Sequence, residues 1–360
     1  MTPTIALASL AADIPEPLMR YLIWPTVKFL IAFGVVQGIV AAMTYIERRV
    51  LAFMQARLGP NRVGPQGLFQ IIADPVKLML KEDIIPANAE KVAYFLGPML
   101  PLIPAFLVFA LIPFGPPPTF AVTQVNVGLL LILALTSTGV YGIILGGWAS
   151  NNKFSLIGAQ RSAAQVVSYE VPFALSIVGV LMLTGSLDLV KIVQFQEENA
   201  WNFIPQIIGC FIFLVAMTAE VNRSPFDLPE AESELVAGFH TEYSGMKFAF
   251  FFLAEYAAML VNSCLIVVLF FGGWTLAMFN IGLTTDVLVG WGFPGALFGM
   301  LIFAAKVMFF MILFVWFRGT FPRFRFDQLM DLGWKWMIPL ALVNIVLTGI
   351  LLLVWQSVVD

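Results

Sequence analysis

Charge is what this sequence has least of. Only 11% of its 360 residues are Asp, Glu, Lys or Arg, while 60% are hydrophobic. An ordinary soluble domain carries about 25% charged residues. So few charges cannot cover a soluble globule, and a disordered chain would not hold 34 Phe and 9 Trp. Cysteine is scarce as well: two in the whole chain exclude a secreted disulfide scaffold. Cys210, Cys264 and the lone His240 are too few for a haem, an iron–sulfur cluster or a zinc site of the usual ligand sets. Both cysteines lie in apolar runs and read as small buried hydrophobes. A net charge of −3 leaves no basic footprint for nucleic acid. No basic segment precedes an apolar core at the N-terminus, so no cleavable signal peptide is expected. What remains is a polytopic membrane protein in which each charge needs a reason.

A span requires about 20 apolar residues. Eight runs qualify, near 22–46, 94–114, 127–149, 166–185, 204–222, 248–273, 295–317 and 336–356. They are continuously apolar rather than alternating, which argues against a β-barrel. The expected fold is all-α, a single integral membrane domain over 1–360 with about eight transmembrane helices and one cytoplasmic amphipathic helix. Basic residues concentrate in four connections on one side, 47–93, 150–165, 223–247 and 318–335. The positive-inside rule places those connections in the cytoplasm (or matrix) and both termini on the opposite side. No internal repeat is visible, which counts against an inverted-repeat transporter. The pairs Gly34/Gly38 and Gly142/Gly146 are expected to be close helix contacts.

Two connections carry more than linkage. The first, 47–93, contains Gly59, Pro60, Gly64, Pro65 and Gly67, which fix a defined turn. Leu68, Ile71, Ile72, Val76, Met79 and Leu80 then recur at helical spacing among Asp74, Lys77 and Lys81, as in an amphipathic helix at the membrane interface. Gly59 to Gly64 has the outline of a phosphate loop, but Pro65 and Gln66 follow it where Lys and Ser/Thr are needed. The second, 223–247, is acidic: Asp227, Glu230, Glu232, Glu234 and Glu242. Glu230 and Glu234 share one face if helical.

Three carboxylates fall inside the expected spans: Glu170, Glu220 and Glu255. A central intramembrane charge costs ~2.5–17 kcal/mol. A carboxyl poised near neutrality can hold and release a proton. The plainer reading is a buried pair or a side chain reaching water. Arg223, one turn after Glu220, is a possible partner there, and Lys247 and Lys306 are both conceivable for Glu255. Pro172 withdraws a backbone donor beside Glu170, so a local irregularity admitting water is expected there. Together with the acidic connection, these residues suggest a carboxylate chain running from a cytoplasm-facing cavity into the bilayer. On the basic side, Glu47, Arg48 and Arg49 end the first span, and Arg57 and Arg62 sit in the Gly/Pro turn. An apolar bore with a polar mouth would suit a lipid-like molecule with a polar head.

The segments YIERRVLAFMQARLGPNRVGPQGLFQIIADPVKLMLKED, YEVPF and AEVNRSPFDLPEAESELVAGFHTEYSGMKFAFFFLAEY carry a resemblance. The chain resembles the H-subunit family of the proton-translocating NADH:quinone oxidoreductase, respiratory complex I, over about 20–355. The resemblance implies an oxidoreductase subunit without a redox cofactor of its own. Its substrate would be a quinone, ubiquinone or menaquinone, with NAD, FMN and iron–sulfur clusters held by partner subunits of the peripheral and membrane arms. It implies a quinone tunnel side with Glu47, Arg48, Arg57, Asp74 and Lys77. It implies a proton-linking side with Glu170, Glu220, Arg223, Asp227, Glu230, Glu232, Glu234, Glu242 and Glu255. The expected location is a bacterial inner membrane, ahead of a mitochondrial one. Alternatives are the homologous membrane subunit of a membrane-bound hydrogenase or of a quinone- or phenazine-linked dehydrogenase, a stand-alone proton-coupled transporter, and a purely structural anchor.

Overall fold

A computed structural model describes residues 23–123, 125–228 and 236–359, and among them no strand occurs. Among these described residues, seven helices are long and apolar enough to cross a membrane. In chain order these and the intervening helices are α1 (Trp24–Met54), α2 (Gln70–Leu80), α3 (Lys91–Val108), α4 (Gly128–Ala149), α5 (Lys153–Thr184), α6 (Leu189–Glu198), α7 (Ile207–Glu220), α8 (Gly245–Phe270), α9 (Thr285–Gly290), α10 (Phe293–Thr320) and α11 (Phe326–Val354).

The fifth expected span, 204–222, is realised differently. A turn through Asn202 and Pro205 precedes α7, leaving a helix of 14 residues. That is about 21 Å at 1.5 Å per residue, short of the ~30 Å hydrocarbon core. α7 survives because its flanks are protein. At its start Gln206 donates to Thr348 Oγ1 at 2.7 Å, and Asn344 donates to Gln206 Oε1 at 2.8 Å. These groups are buried and satisfy one another, as polar groups in lipid must.

The connection expected at 150–165 is mostly helix. α5 begins at Lys153 and runs 32 residues, about 48 Å, unbroken through Pro172. Asn152 caps it: its Oδ1 accepts from the Phe154 N–H at 2.9 Å. The first three turns are helical although polar, because Ser155, Gly158, Ser162, Gln165 and Tyr169 form one buried stripe facing other parts of the chain.

α8 is the central element. Every residue from Met259 to Phe270 is buried, against α3, α10, α7 and α1. α3 and α4 pack at backbone distance: a Cβ on Gly142 would lie 2.3 Å from Pro101 Cδ, and one on Gly97 of α3 would lie 2.9 Å from Gly146 Cα. Gly142/Gly146 is therefore a close helix contact. Gly34/Gly38 is not one within this chain, since a Cβ on either would meet nothing within 4 Å.

The Gly/Pro turn after α1 is ordered. Gly67 has φ +80°, and a Cβ there would lie 2.3 Å from the Pro60 carbonyl oxygen, so only glycine fits. Tyr45 Oη donates to the Gln66 carbonyl at 2.7 Å. α2 follows and packs against α8 and α1, with Ile72, Val76, Met79 and Leu80 exposed.

Candidate functional site

The C-terminal half of α1, the first half of α8, the last turn of α10 and the loop after α7 converge on Arg223. Its Nη1 donates to both oxygens of Glu47 at 2.9 Å, and its Nε pairs with Glu255. Arg318, from the last turn of α10, closes on Glu47 Oε1. Tyr256 Oη donates to Glu47 Oε2 at 2.6 Å, and the Arg223 guanidinium lies 4.3 Å from the Tyr256 ring centroid. Beside this, Arg323 Nη2 donates to Asp227 Oδ2 at 3.0 Å. Three acids thus face three arginines. Glu47 and Arg223 are only 3% and 5% exposed.

Burial works against the charge on Arg223, but Glu255 and Glu47 on either side hold the guanidinium protonated well beyond its usual range. Burial raises the Asp227 carboxyl, and Arg323, Arg318 and Arg223 oppose that rise. Removing one partner from a buried pair typically costs about 3–5 kcal/mol, so each member of the cluster constrains the others.

Two cavities meet at Glu255. The smaller, about 30 Å³, is lined by Asn222, Arg223, Ser224, Asp227, Phe252, Glu255 and Arg318. It is polar and holds room for about two waters at the ~10–15 Å³ each requires. The larger, about 170 Å³, is bounded by Glu255, Glu220, Asn222, Asn262, His240 and Thr136 among apolar residues such as Pro101, Val140 and Phe251. Glu255 belongs to the walls of both. Asn262 donates to Glu220 at 3.2 Å. Ser137 of α4 donates to Glu170 of α5, and Glu170 is close enough to Glu220 for their charges to interact. The His240 ring packs edge-on to Phe239 and Phe248, with centroids 4.5 and 5.5 Å away. Burial lowers its pKa to about 4, which keeps it neutral at pH 7.

At the lip between α1 and α2, Arg48 pairs with Asp74 at 2.8 Å, and Lys77 lies 3.9 Å from the same carboxylate. Gln70 also donates to Asp74, at 2.7 Å. Arg57 is exposed in the turn that follows α1. Glu242 accepts from Asn152 Nδ2 at 2.6 Å, which ties the acidic connection to the start of α5. Glu230, Glu232 and Glu234 lie outside the described residues.

The expected site residues therefore gather into a lip, a charge cluster and a cavity. Glu47, grouped by sequence with the quinone side, sits inside the cluster that also holds Arg223 and Glu255. Glu255 pairs with Arg223 rather than with Lys247, which bridges Asp83 at 2.7 Å. Nor does it pair with Lys306, whose Nζ donates to the carbonyls of Phe271, Gly273 and Thr275 at 2.7, 3.1 and 2.6 Å. Tyr256, Arg318, Asn262 and Ser137 escaped the sequence reading. Tyr256 alone had a signal, its place directly after Glu255. The others are single polar residues in apolar helices, and only the fold assigns their partners. No group of three or more His, Cys, Asp or Glu fit to hold a metal occurs among the described residues.

Comparison with known proteins adds to this geometry. A family profile described as NADH dehydrogenase matches residues 27–349. The NADH-quinone oxidoreductase H-subunit numbered 1 of Cytophaga hutchinsonii is 44% identical over 345 residues, covering 94% of this chain and 99% of that protein. The NADH-quinone oxidoreductase H-subunit of Brevibacillus brevis is 48% identical over 328 residues, covering 91% and 93%. The H-subunit numbered 2 of the same enzyme from Geobacter metallireducens is 47% identical over 351 residues, covering 92% and 96%.

Proposed function

The chain belongs to the NADH dehydrogenase family, among the H-subunit proteins that form a membrane part of NADH-quinone oxidoreductase, respiratory complex I, and on that premise we propose that its charge cluster couples quinone chemistry to proton movement. Its place is a bacterial membrane, crossed many times, with other complex I subunits as partners. With the short α7 counted as a crossing, the termini share one side, and the basic connections favour the non-cytoplasmic one. The quinone, ubiquinone or menaquinone, approaches along α1 and α2 past Arg48, Arg57, Asp74 and Lys77, with Glu47 at the inner end. NAD, FMN and iron–sulfur clusters belong to partner subunits.

The observation that carries the reading is Arg223 shared between Glu47 and Glu255. One guanidinium cannot serve two carboxylates equally when the charge of either changes. If quinone reduction alters the charge or protonation near Glu47, Arg223 is drawn toward or released from Glu255. A unit charge ~4 Å away, at an effective dielectric constant of about 20, is worth about 4 kcal/mol, which shifts a protonation equilibrium about a thousandfold. Glu255 forms a wall of both cavities, so its proton has a polar route toward Asp227 and a second, largely apolar path across the larger cavity to Glu220, whose charge interacts with that of Glu170. Glu230, Glu232, Glu234 and Glu242 would feed this route from the acidic connection.

The test is Arg223→Lys in the intact complex. Lysine keeps one charge but cannot bridge two carboxylates with a planar fork. NADH:quinone turnover per flavin should fall about tenfold, while flavin-site NADH oxidation by ferricyanide persists. Unchanged quinone turnover would remove Arg223 from the coupling.

A further inference from the structure

Gln165 lies on α5, is fully buried, and belongs to no charged motif. Its Nε2 faces three oxygens: the Ala219 carbonyl at 2.8 Å, Asn222 Oδ1 at 3.0 Å and the Phe226 carbonyl at 2.7 Å. Those oxygens bracket the segment from the last turn of α7 to the loop that presents Glu220, Arg223 and Asp227. The segment needs holding. Asn222 sits at φ +54°, in the left-handed region that non-glycine residues enter at a cost, just past the last residue of α7 at Glu220.

The orientation of the amide is set by its surroundings. Turned over, its carbonyl would face three oxygens and no donor. As it stands, the two hydrogens of Nε2 are used, while the buried Oε1 has no hydrogen-bond partner. A buried amide with an idle acceptor carries a penalty that the donor half must offset. The donor half is what the position retains it for. One turn on, the Tyr169 ring packs on the same loop, 5.5 Å from that of Phe226, and is itself fixed by its Oη donating to the Leu329 carbonyl of α11 at 2.8 Å.

We propose that Gln165 is a positioning residue that sets the Arg223 guanidinium between Glu47 and Glu255 by clamping the backbone on both sides of it. This rests on the coupling role of Arg223 argued above. Met is close to Gln in volume and lacks the donors, so Gln165→Met releases the clamp without opening a cavity. Glu keeps the shape but reverses the polarity. When protonated it can donate one hydrogen bond to the loop, and when charged it repels all three oxygens.

The experiment is a double-mutant cycle in the whole complex, read as NADH:quinone turnover per flavin, with Gln165→Met, Arg223→Lys and the pair. Gln165→Met should lower turnover about tenfold, as a misplaced group does, with flavin-site activity intact. Adding it to Arg223→Lys should cost little more, because both act through one guanidinium. Losses that multiply, or turnover within about twofold of the parent for Gln165→Met, would overturn the inference. Should Gln165→Met not assemble, Gln165→Glu decides: its turnover relative to the parent must fall as pH rises from about 6 to 8, and a constant ratio would equally overturn it. An Arg223→Lys variant with full turnover would instead defeat the coupling reading, which keeps the two failures apart.

Discussion

Arg223 and Glu47 stand 176 positions apart in the chain, and Nη1 of the arginine reaches both carboxylate oxygens of the glutamate at 2.9 Å. Glu47 comes from the C-terminal part of α1, ahead of the turn that leads to α2. Arg223 comes from the loop after α7, at the start of the acidic connection. A residue expected on the quinone side and one expected on the proton side are therefore one ion pair.

That pairing makes removal of the cation costly. Arg223→Met leaves Glu47 and Glu255 facing each other with only Arg318 paired to Glu47. Loss of a partner from a buried pair costs about 3–5 kcal/mol. The amount of assembled complex in membranes should fall severalfold for Arg223→Met and much less for Arg223→Lys, as measured by native electrophoresis.

Acid sensitivity follows from His240. Its folded-state pKa lies at about 4, below the ordinary value near ~6.5. The unfolded chain thus binds a proton that the folded chain refuses. The stability this contributes is complete above about pH 6.5 and is lost as pH falls toward about 4, by up to about 3 kcal/mol. Thermal inactivation of the purified complex should accelerate from about pH 7 to 5, and His240→Gln should flatten that slope.

The buried clasp of Gln206, Asn344 and Thr348 holds α7 to α11 away from the charge cluster. Asn344→Leu strands the Gln206 carbonyl, at a cost of about 1–3 kcal/mol. Detergent resistance of the complex should drop while quinone turnover per flavin stays near the parent value.

The two glycine pairs should behave differently. Gly142→Val forces side-chain atoms into Pro101 and the Gly97 carbonyl and should prevent accumulation of the complex. Gly38→Ala meets nothing within 4 Å in this chain and should leave its fold intact, as immunoblots of membranes would report.

Much of this was legible in the sequence. Long apolar runs announced the seven long helices, and the period of Leu68, Ile72, Val76 and Leu80 announced α2. Carboxylates in apolar surroundings singled out Glu170, Glu220 and Glu255, because charge in lipid is costly wherever it falls. Hydropathy misread two places where protein, rather than lipid, surrounds the chain. The first turns of α5 face other parts of the chain and are polar, and α7 is shortened by the turn through Pro205. Partnership was the least legible property. Nothing local ties Glu47 to Arg223, or Lys306 to three carbonyls at the end of α8, since those contacts arise only when distant helices pack. Gln165 lacked chemistry of its own, although the 3–4 spacing of Ser155, Gly158, Ser162, Gln165 and Tyr169 was there as a sign of a buried polar face.

The coupling claim centres on Glu255, which touches Arg223 and both cavities. The most direct measurement is proton translocation and NADH:quinone turnover recorded together in proteoliposomes containing the complex with Glu255→Gln. Glutamine cannot carry the proton or attract the guanidinium, so turnover and proton movement should both fall about tenfold or more, with flavin-site activity preserved. Parent-like turnover with parent-like protons per electron would contradict the coupling role of this cluster.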